Sequence, residues 1–182
     1  MNFIKTAIDG VFIIEPRIFT DERGYFFESY SKAAFEEAGL HYDFVQDNQS
    51  KSCYGTVRGL HFQKGEHSQA KLVRVLEGTV LDVAVDIRRA SPTYGQYVAV
   101  ELSAQNNRQL MIPRGFAHGF SVLSETAVFA YKCDNLYCRE SEGGIRFDDP
   151  TLAIDWRIDM ARALTSEKDK RHPFFAEFES CF

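Results

Sequence analysis

The 182-residue sequence is short of positive charge, of paired cysteines and of long apolar runs, and each shortage narrows what the chain can be. Lysine and arginine number 21 against 26 aspartates and glutamates, a net charge of −5. No general attraction to nucleic acid or to an anionic membrane is expected, so an anionic ligand must be met by a local cluster. The four cysteines, Cys53, Cys133, Cys138 and Cys181, contain no CxxC spacing, and a chain of this hydrophobic content needs no disulfide framework. They read as reduced thiols. No run approaches the ~18 apolar residues of a membrane span. Met1 to Gly10 carries Lys5 and Asp9 where a signal peptide would be apolar, so a cytoplasmic protein is expected.

What is present is the grammar of β structure. Between Val11 and Asn135, short segments rich in Val, Ile, Phe, Tyr and Leu are separated by Gly, Pro, Asn and Ser. In Thr79 to Ile87, Leu81, Val83 and Val85 alternate with Val80, Asp82, Ala84 and Asp86, a period of two that excludes a helix and makes one face uniformly apolar. Further strands are expected at Phe12 to Glu15, Tyr25 to Tyr30, Phe44 to Asn48, Val57 to Gln63, Lys71 to Leu76, Tyr97 to Ser103, Gln109 to Ile112, Gly119 to Leu123 and Val128 to Lys132. Many short strands imply an all-β sandwich or barrel. Two short peripheral helices are expected, one capped by Ser31 and ended by Gly39, one capped by Ser166 and running through Lys170. With no repeat, low-complexity tract or linker, residues 1–182 read as one domain. Its core spans about 1–147, and a tail, 148–182, wraps the barrel.

Pro113, Gly115 and His118 form a P-x-G-x-x-H turn, the second half of the signature of cupin-type jelly-roll β-barrels. Metal-dependent members supply H-x-H and a glutamate in the first half, because a divalent ion needs several nitrogen and oxygen ligands converging at ~2 Å. Here that region reads His61, Phe62, Gln63, followed by His67 and Lys71. A glutamine stands for the second histidine and an ammonium for the anionic ligand, so no metal is expected. His61, Lys71 and Tyr131 instead lie on three strand candidates with apolar neighbours, each able to enter a common lumen. Taken singly, each has a plainer reading: a structural histidine, a solvated edge lysine, a core aromatic.

Ordered blocks across most of the chain decide between these readings. They are Asp21-Glu22-Arg23-Gly24 with Glu28, Gln46-Asp47-Asn48, Arg58 to Gln63, Lys71-Leu72-Val73, Asp82 to Asp86, Ile112 to Phe120, and Tyr131-Lys132. With these, the chain resembles the dTDP-4-dehydrorhamnose 3,5-epimerase family. The resemblance implies epimerisation at C3 and C5 of dTDP-4-keto-6-deoxyglucose, without metal or cofactor, by a homodimer that exchanges N-terminal strands. It implies His61 as base, Asp169 as its orienting carboxylate, Lys71 at the enolate oxygen and Tyr131 as acid on the opposite face. It also implies ligand contacts from Arg23, Glu28, Gln46, Asp47, Asn48, Arg58, His118, Glu142 and Lys168, the last at the diphosphate.

The chemistry demands such a set. A C–H beside a ketone is acidic only through its enolate, which calls for a base near neutral pKa, a charge partner at the oxyanion and a donor on the far face. Asp169 lies in the charge run Ser166 to Arg171, which by pattern alone reads as solvated. By alternation Gln46 and Asn48 share a face and Asp47 points away. Parity also puts Arg58 and His61 on opposite faces, so Gly59 marks a bulge or Arg58 turns to a rim. Phe19, Phe26 and Tyr137 are the aromatic candidates for stacking on the base, and Arg157 stands where close relatives carry proline, a change expected to alter the tail. Competing readings are a single-position epimerase of a related sugar, a metal-dependent cupin oxygenase and a non-catalytic sugar-nucleotide binder.

Overall fold

The computed structural model describes residues 1–182. Its strands are β1 (Asn2–Lys5), β2 (Phe12–Glu15), β3 (Phe19–Asp21), β4 (Gly24–Phe26), β5 (Gln46–Cys53), β6 (Val57–Gln63) and β7 (Lys71–Glu77), then β8 (Thr79–Asp86), β9 (Tyr97–Ser103), β10 (Gln109–Ile112), β11 (Phe116–Val122), β12 (Thr126–Cys133) and β13 (Glu142–Gly144). They pair antiparallel in a six-stranded sheet, β1-β2-β10-β7-β12-β5, and a five-stranded sheet, β13-β6-β11-β8-β9. The two sheets face each other as a cupin-type jelly roll, as expected. No helix is long and apolar enough to cross a membrane.

Three apolar layers follow from the alternation. Between the sheets, Val73, Leu110 and Phe129 from one side meet Val80, Leu102 and Phe120 from the other. Helix α1 (Lys32–Glu37) covers the outer face of the six-stranded sheet, placing Phe35 against Ile14, Leu72 and Met111. Ser31 caps it as expected, its Oγ accepting from the Ala34 N–H, and Gly39 leaves it at φ +78°. The tail covers the outer face of the five-stranded sheet. There Trp156 packs with Leu81, Val83 and Val85, while its Nε1 donates to the Phe147 carbonyl at 2.7 Å. The uniformly apolar face of β8 therefore points outward under the tail, and the face bearing Asp82 and Asp86 turns into the barrel.

Several boundaries differ from the pattern. The segment expected as a strand from Tyr25 to Tyr30 keeps only Gly24–Phe26, in the isolated β3–β4 hairpin. The strand expected at Phe44 to Asn48 begins at Gln46 and continues to Cys53, because β5 pairs with β12 along its whole length although its residues are almost all polar. The second helix is a single 3-10 turn, Asp169–Arg171, preceded by a hydrogen bond from the Asp169 N–H to Ser166 Oγ. Arg157 has φ +54°, a conformation closed to proline.

Asp86 fastens the end of β8 to the following loop. Its buried carboxylate accepts from Arg88 Nε and Nη2 (2.9 and 2.7 Å) and from the Ser91 and Thr93 hydroxyls (both 2.6 Å). Burial alone would raise the carboxyl, but these donors hold it at about 2. A folded value below the unfolded one means that its contribution is full above pH ~4 and fades as the pH falls toward the folded value. Asp86→Asn is expected to lower the urea-unfolding free energy by roughly 2 kcal/mol at pH 7. The difference from the parent should shrink between pH 4 and the acid limit, and a constant difference would contradict this role.

Candidate active site

A cavity of about 710 Å³ opens between the sheets, walled by β5, β6, β7, β11 and β12 and roofed by tail residues Ala163 to Lys170. Its geometry depends on an irregularity in β6. His61 stands opposite His118 and Arg58 opposite Phe120, so three steps along β6 match two along β11. This is a bulge, the first of the two outcomes that parity left open, and both Arg58 and His61 line the cavity. Gly59 sits at φ +133°, where a Cβ would lie 2.6 Å from Gly119 Cα and 2.9 Å from the His118 carbonyl oxygen. Only glycine fits there. Arg58 is braced by Nε donating to Ser52 Oγ at 3.1 Å.

The tail brings the second partner. Leu164 bridges Thr56, with Val57 N–H donating to the Leu164 carbonyl and Leu164 N–H to the Gly55 carbonyl, both at 2.9 Å. This pins the charge run against β6 and buries one member, Asp169, while Glu167, Lys168 and Lys170 stay exposed. Asp169 Oδ1 lies 2.7 Å from His61 Nε2, and its Oδ2 accepts from the Gly59 N–H at 3.5 Å. Burial would raise the Asp169 carboxyl, but hydrogen bonds from His61, Ser166 and Gly59 outweigh it and leave the group below the usual carboxylate range. An ionised Asp169 calls for a proton on Nε2, so Nδ1 is left as the basic atom.

Two further groups meet in the cavity. Lys71 on β7 is partly buried; desolvation pushes its amine below the ordinary lysine value, against the opposing fields of Cys133, Asp82 and Glu142. Its Nζ lies 5.8 Å from the Tyr131 ring centroid. Burial and the Cys133 thiol raise the Tyr131 phenol, so at neutral pH it holds its proton and can donate it. At the rim, Glu142 pairs with Lys168 and accepts from the Tyr137 hydroxyl at 2.9 Å. Burial raises the Glu142 carboxyl, yet those two donors bring it below its usual range. His118 is 7 % exposed and lines the cavity, with Nε2 2.9 Å from Asp82 Oδ1.

Not every expected ligand residue arrives. Asn48 lines the cavity, but Gln46 does not: its Nε2 donates to Asn48 Oδ1 at 3.1 Å and its Oε1 accepts from the Tyr137 N–H. It orients Asn48 rather than reaching the lumen. Asp47 faces the outside of the sheet and pairs with Lys132 at 2.9 Å, as alternation dictates. Arg23 and Glu28 are exposed and line no part of the cavity within one chain, because the β3–β4 hairpin pairs with neither large sheet; Arg23 is spent on Asp21. Of the aromatic candidates, Tyr137 is at the rim, whereas Phe19 and Phe26 are exposed on that hairpin.

Asp82 and His172 join the expected residues around the cavity. Asp82 carried one signal, an acid in the interior row of an otherwise apolar strand, and His172 carried none. The His172 ring lies 5.9 Å from that of His61, and burial together with His61 lowers its pKa. His61, Asp169 and His172 offer donor atoms within 4.8 Å of one another, the only group of three that could hold a cation.

The family model described as dTDP-4-dehydrorhamnose 3,5-epimerase matches residues 5–177. The enzyme of that name from Salmonella typhimurium is 56% identical over 174 residues, covering 95% of this chain and 94% of the relative. The crystal structure of dTDP-4-dehydrorhamnose 3,5-epimerase from Elizabethkingia anophelis superposes with a TM-score of 0.93 at 58% identity, covering 97% of each chain. The dTDP-6-deoxy-D-glucose-3,5-epimerase of Legionella pneumophila, solved with dTDP-4-keto-L-rhamnose, gives a TM-score of 0.93 at 51% identity, covering 98% of this chain and 94% of that one.

The Gly59 contact yields a sharp expectation. Gly59→Ala forces backbone apart at the bulge and is expected to cost about 3 kcal/mol or more, a fall of roughly 10 °C in Tm for a chain of this size. A melting temperature unchanged by the substitution would show that the close approach to Gly119 does not constrain the site.

Proposed function

The chain belongs to the dTDP-4-dehydrorhamnose 3,5-epimerase family, and we propose that its cavity inverts C3 and C5 of dTDP-4-keto-6-deoxyglucose to give dTDP-4-keto-rhamnose. The observation that carries the mechanism is that an oriented imidazole, an ammonium and a protonated phenol open on one cavity. His61 Nδ1 takes the proton from a carbon next to the C4 ketone, while Asp169 holds the resulting imidazolium. Charge grows on O4, where Lys71 stabilises it. Preorganised donors of this kind are worth about 3–4 kcal/mol, and a positioned acid or base contributes roughly 10²–10⁴-fold. Tyr131 then protonates the same carbon from the other face. Each inversion leaves a proton on His61 and a phenolate at Tyr131, and exchange with water at the open mouth resets both before the second carbon reacts. The net reaction is redox-neutral and calls for no oxidant or reductant.

Recognition of the nucleotide is assigned to the rim. Lys168 and Arg58 are the cations we assign to the diphosphate, and Asn48, His118 and Glu142 the groups we assign to the sugar, on the support that all five line the cavity. We further propose that residues 1–182 act as one cytoplasmic domain in a homodimer whose exchanged β3–β4 hairpin, with the residues that follow it, carries Arg23 and Glu28 to the partner's cavity. The support is that hairpin itself: it pairs with no other strand and leaves Phe19, Tyr25 and Phe26 51, 63 and 69% exposed. Light scattering should return about twice the 20.8 kDa chain mass. A monomer at micromolar concentration would remove these two residues from the site.

Turnover in deuterated buffer is expected to label two carbons of the sugar, C3 and C5, with no added metal or nicotinamide. One labelled carbon would instead assign a single-position epimerase. His61→Asn should lower kcat by roughly 10³-fold while dTDP affinity stays within about twofold, since the base faces carbon-bound hydrogen. Tyr131→Phe should spare deuterium wash-in more than net inversion, and full-speed inversion in that variant would show another acid at work.

A further inference from the structure

The chemistry above leaves one buried acid beside the cavity without a task. Asp82 lies on the interior row of β8 between Val80 and Ala84 and is fully buried. Its Oδ1 is 2.9 Å from His118 Nε2, and its Oδ2 is buried with no protein hydrogen-bond partner. An unmatched carboxylate oxygen in a barrel interior works against folding. An asparagine would serve His118 equally well through its amide oxygen without burying a charge. What only the acid adds is negative charge, and the cation within its field is Lys71, which projects from β7 on the facing sheet.

We propose that Asp82 is a positioning residue for this site, one oxygen fixing the His118 imidazole at the cavity wall and the other supplying the counter-charge that keeps Lys71 an ammonium. The role rests on the epimerase reading, in which Lys71 meets the developing oxyanion. The other titratable groups that face Lys71 are Cys133 and Tyr131 on β12, Glu142 on β13, and His61 and His118 across the lumen. Cys133 is a neutral thiol, pushed up by burial to about 11, and burial likewise keeps the Tyr131 phenol protonated. Glu142 is taken up by Lys168 and Tyr137. Among the carboxylates near Lys71, Asp82 Oδ2 is the buried oxygen that has no partner. Desolvation drives the Lys71 amine toward neutrality and Asp82 opposes it, so losing the Asp82 charge lowers the Lys71 pKa further.

Asp82→Asn separates the charge from the hydrogen bond. Relative to the parent enzyme, kcat should fall at least ~10-fold and the alkaline limb of its pH profile should move down by about one pH unit, with dTDP affinity by calorimetry within about twofold. An alkaline limb that stays in place overturns the proposal, whatever happens to kcat. If the parent itself does not epimerise, the reading of the site falls, and a direct titration still decides the role of Asp82. In protein labelled with ¹³C-lysine, the Lys71 signal, assigned by its loss in Lys71→Arg, should titrate at lower pH in Asp82→Asn than in the parent; equal titrations overturn it. Should Asp82→Asn fail to fold, a crystal structure of the parent is the test. Lys71 Nζ bonded to Asp82 Oδ2, directly or through one water, supports the assignment, and Lys71 turned away from Asp82 refutes it.

Discussion

The 2.7 Å contact between His61 and Asp169 joins the two parts of the molecule that the proposed mechanism brings together. His61 belongs to a barrel strand, and Asp169 to a tail that crosses the barrel mouth 108 residues later. Their union needs the Leu164 bridge to hold the tail, the Trp156 anchor to seat it, and the bulge at Gly59 to turn His61 inward beside Arg58. An imidazole is a competent base only if its proton sits on the correct nitrogen, and a buried carboxylate on Nε2 secures that. The apolar layer outside the five-stranded sheet is thus more than packing, since it sets the position of the carboxylate that orients the base.

A second constraint is electrostatic. The barrel interior holds Lys71, Asp82, His118, Tyr131 and Cys133 close together in a medium that disfavours isolated charge. The arrangement answers this by matching charge with charge near the reacting carbon positions and by keeping the phenol and the thiol neutral. Desolvation then serves the reaction. In the proposed mechanism it makes the lysine charge more effective against a growing enolate, while the raised phenol keeps its proton until the enolate takes it. Hydrated groups lie at the rim, where Lys168 and Glu142 neutralise one another at the entrance for an anionic nucleotide.

Much of this was legible in the residues. The residue pattern located the strands Val57–Gln63, Tyr97–Ser103 and Gln109–Ile112 to the residue: β6 and β10 pair on both sides, and β9, an edge strand, pairs with β8 along its whole length. Alternation turned Asp47 away from Asn48, as in the fold, and parity left either a bulge at Gly59 or an Arg58 at the rim, of which the fold takes the bulge. It did not reach Asp169, whose charged neighbours look solvated in sequence: burial there comes from a tertiary bridge at Leu164, which no local pattern encodes. Nor did it show that the apolar face of β8 looks outward, since a strand covered on both sides hides which layer is the barrel. Arg23 and Glu28 mark the limit of reading one chain, because the hairpin that bears Arg23 and leads to Glu28 finds no partner strand within it.

The central claim is that His61 and Tyr131 address one sugar ring from its two faces with Lys71 at the oxygen between them. A crystal structure of the protein bound to its dTDP-linked 4-keto sugar measures this directly. The account predicts His61 Nδ1 and the Tyr131 hydroxyl within ~3.5 Å of the ring carbons flanking C4, on opposite sides, with Lys71 Nζ in hydrogen-bond reach of O4. A ring bound with both side chains on the same face, or lying outside the cavity, would contradict it.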